Sequence, residues 1–467
     1  MARSPATTSG GHPARSDSHR IPLIILLVLL VCGTLVHPYM AQQASRYALT
    51  AAIVEQRSLR LDAYEGVLGV DRAVWAGHIY SDKAPGQPVL AVPFFAVGKA
   101  FGVEDATVLR VEKNLGLWWV TFWCSAVVGA VLAVLMFRRI AVVFPGYEAR
   151  GSLGLFFGSL LFPFSALLFG HVMAAALLFA SYLLLEHGNR HGAAMVAGLM
   201  AGMSVVVEYT AVFGVMILLV LVLWRHRTRW LAFCAGGMPA VVFLAVYNQV
   251  AFGAWHRLSY QVSAFSGVQS QPRDVLDHFS APGVDKLIAL LFHGRGLLIA
   301  TPVVLVAVAG AVDRLRKESR TPDAVVAVAM FVVFALLPVF WGNPWGGDSP
   351  GPRYMVPMLP FLAVPLAWAW QRWRLLTIGA ILLSGLTMAA AAFTDPLISR
   401  YETGGLGIWL TKLASGDVAP SLFTIWLGPP GWAIHLLIVA VTVLALARAT
   451  PSTGASGTQA LRVQGRQ

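Results

Sequence analysis

Apolar runs of about twenty residues return along nearly the whole chain, from Ile21–Met40 to 429–448. That recurrence limits the fold more than any other feature. A helical run of this length spans the ~30 Å hydrocarbon core of a bilayer. Inside the core only helices and closed barrels satisfy their own backbone hydrogen bonds. Charged residues make up 12% of the 467 residues and apolar ones 57%, with a mean hydropathy of +0.69. A soluble domain carries about 25% charge, so the sequence predicts an all-α, polytopic transmembrane helical bundle.

Spans are expected at 21–40, 115–137, 151–169, 172–186, 192–207, 210–224, 230–250, 295–312, 323–341, 354–370, 375–393 and 429–448. That is about 12, with roughly 11 to 13 allowed by their soft edges. The first run exceeds a signal-peptide core of about 7–15 residues and reads as an uncleaved anchor. Residues 1–19 and 450–467 are polar, low-complexity stretches, expected as disordered cytoplasmic tails of one integral membrane domain, 20–449. With the N-terminus in the cytoplasm, the cytoplasmic loops collect Arg138, Arg139, Arg150, Arg190, Arg225, Arg227, Arg229, Arg314, Arg316, Lys317, Arg320, Arg372 and Arg374. The positive-inside rule thereby accounts for the net charge of +12 without nucleic acid. Keeping that asymmetry makes 88–103 a helix at the outer interface rather than a span. The outer loops are then 41–114, 251–294 and 394–428. Cys32, Cys124 and Cys234 all lie in apolar runs and are expected as buried thiols.

The densest titratable cluster sits in the first outer loop, Asp62–Pro93. Asp62 and Glu65, three residues apart, share a face if helical. A carboxylate against a low-dielectric boundary has a raised pKa and suits a general base, though a solvated loop helix fits as well. Tyr80, Asp82 and Lys83 lead into Pro85-Gly86, a turn in which Gly86 permits close backbone approach. Lys83 can hold a phosphate as a point charge or simply pair with Asp82. His171 and Glu208-Tyr209 interrupt apolar hairpins at their outer ends, where each needs a partner or water. Arg295 and Arg353 open spans on the side where the topology disfavours arginine. They read as a bidentate phosphate clamp or as snorkelling anchors. Asp348 and Tyr354 flank the second of them in a Gly/Pro-rich run, Trp341–Arg353. Walker, GxGxxG and HExxH patterns are absent from the sequence, which removes the usual nucleotide-driven and zinc-hydrolase readings.

Taken in order, the first span, the long outer loop with Asp62, the segment Gly77–Gly86 and the late Pro352-Arg-Tyr-Met-Val-Pro-Met-Leu-Pro360 resemble the GT-C superfamily of membrane glycosyltransferases. The branch is the one similar to protein O-mannosyltransferases and aminoarabinose transferases. The resemblance implies an inverting transfer of a sugar from a polyprenyl-phosphate carrier to a glycan, lipid or protein acceptor. The reaction would take place at the extracytoplasmic face of the plasma (inner) membrane. It implies Asp62 as the base. It places Lys83-Ala84-Pro85 on the family's Lys-Pro-Pro segment and Arg353-Tyr354 on its late Arg-Tyr. Glu65, Tyr80, Asp82, His171, Glu208, Tyr209, Arg295 and Asp348 are expected to contact substrate. This chain departs from the pattern at Ala63, where the family often has a second acid, at Ala84, and at His171, which replaces an aspartate. No cofactor is required, and a divalent metal remains open. Membrane lipids are the remaining expected partner. Two other readings stay open: a transporter or flippase, and a polymerase of lipid-linked glycans.

Overall fold

The computed structural model describes residues 14–102, 115–188, 190–264, 280–318, 321–340, 344–399, 401–402 and 404–449. Most of the expected tails, 1–13 and 450–467, and parts of two expected outer loops, 103–114 and 265–279, lie outside them. The described residues are overwhelmingly helical. The main helices are α1 (Ala14–Cys32), α2 (Ala41–Gln56), α3 (Gly86–Ala100), α4 (Leu115–Val143), α5 (Glu148–Phe157), α6 (Gly170–His187), α7 (His191–Val207), α8 (Val212–Arg225), α9 (Trp230–Phe252), α10 (Pro302–Lys317), α11 (Pro322–Phe340), α12 (Ala363–Arg372), α13 (Arg374–Phe393) and α14 (Gly431–Ala449).

Six of these, α4, α6, α9 with the preceding turn, α11, α13 and α14, are long and apolar enough to cross a membrane. Shorter apolar helices at His19–Cys32, His191–Val207 and Tyr209–Arg225 accompany them. The chain is a multi-pass membrane protein, but the described helices do not form twelve unbroken spans. The expected 151–169 span breaks after α5 at Gly158-Ser159, and the short helix that follows, Leu161–Ser165, carries Pro163 within it. The expected 295–312 span starts late, at Pro302, whose missing N–H costs nothing at a helix start. The expected 354–370 span opens as 3₁₀ turns, Arg353–Leu362. Pro357 and Pro360 remove two ladder donors there before α12 begins. Helix α1 stops at Cys32 rather than Met40 and absorbs the end of the expected tail.

The first outer loop is mostly ordered helix. α2 packs along α3, and α3 meets α4, which contains a π turn at Phe122–Ala126. Between α2 and α3 lies a small hairpin, the one strand pair among the described residues: β1 (Ala73–Trp75) and β2 (His78–Tyr80), antiparallel with Val74 opposite Ile79. Its two-residue turn, Ala76-Gly77, has positive φ at both positions, the geometry that matches strand twist. The segment after α9 lies along the free edge of β1, with Ala73 bridged to Ser263 and Ala264 N donating to Arg72 O at 2.8 Å. Helix α6 runs through the centre, packed on α4, α7 and the 353–362 turns. Its 18 residues span about 27 Å, so His171 and Glu186 mark opposite ends of one membrane-length helix.

Candidate functional site

Helix α2 carries Gln42, Arg46 and Thr50 four residues apart, a polar stripe along one face, and all three are buried. Thr50 Oγ1 donates to Pro88 O (3.1 Å), fixing α2 against α3. Arg46, 1% exposed, places Nη2 3.2 Å from Glu208 Oε2 and Nη1 3.4 Å from Ala84 O. Glu208 sits at the break between α7 and the turn Tyr209–Ala211, with extended backbone that turns its side chain inward. The same Oε2 lies 3.1 Å from His171 Nδ1 at the start of α6. The imidazole stacks on Phe164, with centroids 5.3 Å apart and rings nearly parallel. Burial works against the charge of Glu208, but His171 and Arg46 outweigh it and hold the carboxyl at about 2.

Arg353 completes the group from the opposite end of the chain. With the Gln42 amide turned to satisfy both partners, its oxygen accepts from Arg353 Nη1 (3.1 Å) and Nη2 (2.7 Å). Nη1 also donates to Asp348 O at 3.4 Å. Gly346 and Gly347 hold φ of 77° and 121°, which favour glycine. A Cβ on Gly346 would stand 2.9 Å from Arg353 Nε, so the Gly-Gly pair lets the loop close over the guanidinium. The hydrogen-bond partners of Arg353 among the described residues are neutral, and the charge that faces this buried guanidinium is the Glu208 carboxylate, whose pKa it helps to lower. His171 Nε2, Arg353 Nε and Arg46 Nε make no hydrogen bond among the described residues. Buried groups left so call for an explanation, and several gathered in one place leave room for the polar atoms of a ligand or water.

A second layer adjoins this group. Lys83 Nζ lies 2.7 Å from both Asp71 Oδ1 and Asp82 Oδ2. Burial alone would lower the Lys83 pKa, but the two carboxylates reverse this and raise it. Burial raises Asp82 while Lys83 opposes it. Asp82 also accepts from Ser45 and Ser263 and, through its carbonyl, from Ser259. Gly86 follows, its Cα so close to the α7 terminus that a Cβ would stand 2.6 Å from Val206 O. The close backbone approach expected of Gly86 is therefore present.

Several candidates lie elsewhere. Asp62 is at the surface, its side chain 46% exposed, accepting from Ile79 N (2.7 Å) and paired with His78 Nδ1 (2.9 Å). What little burial it has would raise its carboxyl, but these hydrogen bonds hold it below the usual range, the reverse of what a base needs. Its structural effect is to pin β2, the strand that leads into Asp82-Lys83. Glu65 is exposed and paired with Arg72 at 2.9 Å. Arg295 is fully buried, but its guanidinium is taken by the carbonyls of Ser349, Ile398, Ser399 and Glu402 at 2.7–3.3 Å, with Trp345 beneath it. It braces the loop that carries Arg353 and is not shared with it as a clamp. Tyr80 packs on Phe252, Tyr209 meets Ser259 (3.5 Å) and Tyr260, and Tyr354 lies beside the Arg353 guanidinium. The structure therefore gathers His171, Glu208, Arg353 and Tyr354, with Asp82 and Lys83 behind them. It adds Gln42, Ser45 and Arg46. Among the described residues no group of three His, Cys, Asp or Glu side chains is arranged to hold a metal.

No family profile and no curated protein matches this sequence. Solved structures do. ArnT from Cupriavidus metallidurans bound to undecaprenyl phosphate superposes with a TM-score of 0.54 at 12% identity, over 94% of this chain and 73% of that one. Its apo form gives 0.53 at 14% identity over the same shares. The Archaeoglobus fulgidus oligosaccharyltransferase in complex with Zn and sulfate reaches 0.48 at 13% identity, over 79% of this chain and 52% of that one. With the helical order and the packed first loop already described, the two ArnT superpositions show that this chain shares the fold of ArnT.

Proposed function

We propose that the protein transfers a sugar from a polyprenyl-phosphate carrier to a hydroxyl acceptor, with the buried Arg353–His171–Glu208 group as its reaction centre. One observation supports this above the others: a buried guanidinium whose described hydrogen-bond partners are all neutral, beside an imidazole whose Nε2 makes no hydrogen bond. The first suits the phosphate of a lipid carrier, and the second suits a hydroxyl proton. The ArnT structure with undecaprenyl phosphate supports the carrier class.

In this reading the acceptor oxygen attacks C1 of the sugar while His171 Nε2 takes its proton. The C1–O bond to the carrier breaks, and the electron pair leaves on the phosphate, where Arg353 stabilises the developing charge. Glu208 stays ionised, orients His171 through Nδ1 and stabilises the imidazolium as it forms. Arg46 holds Glu208 from the other side. Asp62, at the surface, acts by holding the hairpin, and Lys83 by fixing Asp71 and Asp82. The carrier already supplies an activated leaving group, so no nucleotide takes part. The concentration of basic residues at the end of α6 away from His171 supports an extracytoplasmic reaction centre. Whether the sugar is a hexose or a pentose follows from contacts outside this group.

The test is binding of undecaprenyl phosphate to the purified protein, together with sugar transfer in membranes, for wild type and Arg353→Gln. A lost charge-assisted pair predicts about tenfold to hundredfold weaker carrier binding at an unchanged protein level. Equal binding by the variant would sink the phosphate assignment. Solute flux in acceptor-free vesicles would favour a transporter instead.

A further inference from the structure

At the far end of α6 from His171, a trough of about 750 Å³ runs between α4 and α7, with α6 as its floor. Its walls are apolar, and small residues (Ala141, Ala180, Gly188) create the hollow. Val142 and Val196 are 64% and 43% exposed on its rims, so it opens sideways from the bundle. The volume lies within the range of sites that enclose small-molecule ligands. Polar groups are confined to one end: Arg138, Arg139 and His187. Arg139 is consumed, with Nε and Nη2 bonded to Asp323 at 2.8 and 2.9 Å. Arg138, the next residue, points to the exposed side and has no acidic partner among the described residues. The nearby acid, Glu186, is paired with Arg225 (3.3 Å) and Arg139 (3.6 Å). Arg229 Nη1 adds positive charge at the same end, 2.7 Å from Gly188 O.

We infer that this trough binds an anionic glycerophospholipid of the leaflet opposite the candidate reaction centre, one acyl chain along α6 and the phosphate on Arg138. Three features separate it from ordinary lipid contact. It is concave where a spanning helix is usually convex. Its cationic end is at the depth of a headgroup, a full helix length from His171. Its unpaired charge is positive while the neighbouring acids are already satisfied. A zwitterionic lipid places an ammonium against the same cluster of arginines, so the site discriminates by headgroup charge. It lies too far from Arg353 to be the place where a carrier phosphate reacts.

The experiment uses the full chain, purified in detergent and stripped of lipid. Retained lipid is counted by native mass spectrometry, and the melting temperature is followed as phosphatidylglycerol or phosphatidylcholine is added. Wild type should retain one phosphatidylglycerol and melt higher with it than with phosphatidylcholine. Arg138→Gln should weaken phosphatidylglycerol about fivefold, the value of one basic residue at a lipid headgroup, and leave phosphatidylcholine unchanged. Ala180→Trp, which fills the floor, should abolish retention of both. Should that variant misfold, Val196→Trp at the rim makes the same test with less strain. Equal retention of the two lipids by wild type and variants means annular lipid only and overturns the site. A melting shift with inorganic phosphate matching that with lipid overturns the acyl-chain part.

Discussion

Two buried charge clusters sit at opposite ends of α6, built from nearly the same residue types. At one end Arg139 is bonded twice to Asp323, Tyr182 adds a hydrogen bond to Asp323 (2.9 Å), and Glu186 bridges Arg139 and Arg225. No side-chain atom of these residues is buried without a partner. At the other end Arg46, Glu208, His171, Gln42 and Arg353 are equally buried, but Arg46 Nε, Arg353 Nε and His171 Nε2 make no hydrogen bond among the described residues, and His171 Nδ1 has only the Glu208 carboxylate beside it. A satisfied cluster ties helices together; an unsatisfied one holds places for atoms that arrive later. The difference comes from what surrounds them. Arg139 meets a carboxylate in bidentate geometry, whereas Arg353 meets the Gln42 amide oxygen and the Asp348 carbonyl, with the Gly346-Gly347 loop closed over it.

The contrast is broken most directly at His171. His171→Ala should lower transfer by about 10²–10⁴-fold, the usual contribution of a positioned base. Its folded yield in membranes should stay near wild type. Transfer within about threefold of wild type would remove His171 from the proton path. The complementary variant is Asp323→Asn at the other end. It leaves Arg139 buried without its carboxylate and should cost about 3–5 kcal/mol of stability. Surviving folded protein should transfer sugar at the wild-type rate per molecule. If Asp323→Asn abolished transfer without a loss of stability, the two ends would not differ in kind.

A smaller effect tests the linker between α1 and α2. His37 is buried with neither ring nitrogen hydrogen-bonded among the described residues. Burial lowers its pKa from 6.5 to about 4, against a weaker pull from Asp395. The folded state therefore favours neutral His37, and between these values the unfolded chain binds the extra proton. That stability is fully present above about pH 6.5 and is lost as pH falls toward about 4, up to roughly 3 kcal/mol. The melting temperature of wild type should fall across this window, and that of His37→Phe should fall less. Parallel curves would assign the acid sensitivity to other groups.

Part of this arrangement was readable from residue order. Glu208, His171 and Arg353 stood out because each breaks an apolar stretch where a charge needs a reason, and burial is that reason. Gln42 and Arg46 did not stand out, because in a stretch taken for a solvated loop a polar residue is unremarkable. Their spacing with Thr50 was the available signal, and it becomes meaningful only once 41–56 is a packed helix. Arg295 could not be assigned from sequence, since its partners are backbone carbonyls about fifty to a hundred residues away. The broken spans were marked by Gly158, Pro163, Pro357 and Pro360, whose effect on the ladder is local and was outweighed by hydropathy in counting.

Asp62 gives the smallest effect and the sharpest separation of position from chemistry. It belongs to neither cluster. Its carboxylate accepts the Ile79 amide and pairs with His78 at the protein surface, and β2 then delivers Asp82 and Lys83 to the buried side. Asp62→Asn keeps an oxygen that can accept from Ile79 but loses the charge, so the cost should be about 1 kcal/mol or less. Transfer should stay within about threefold of wild type. Asp62→Pro, which removes the acceptor and constrains the backbone where the 3₁₀ turn begins, should disturb the hairpin and lower transfer through Lys83. A pair of results in which the asparagine variant is as inactive as the proline variant would move the reaction centre to the surface rim. A graded pair, mild then severe, leaves Asp62 as the clamp that sets where the buried residues stand.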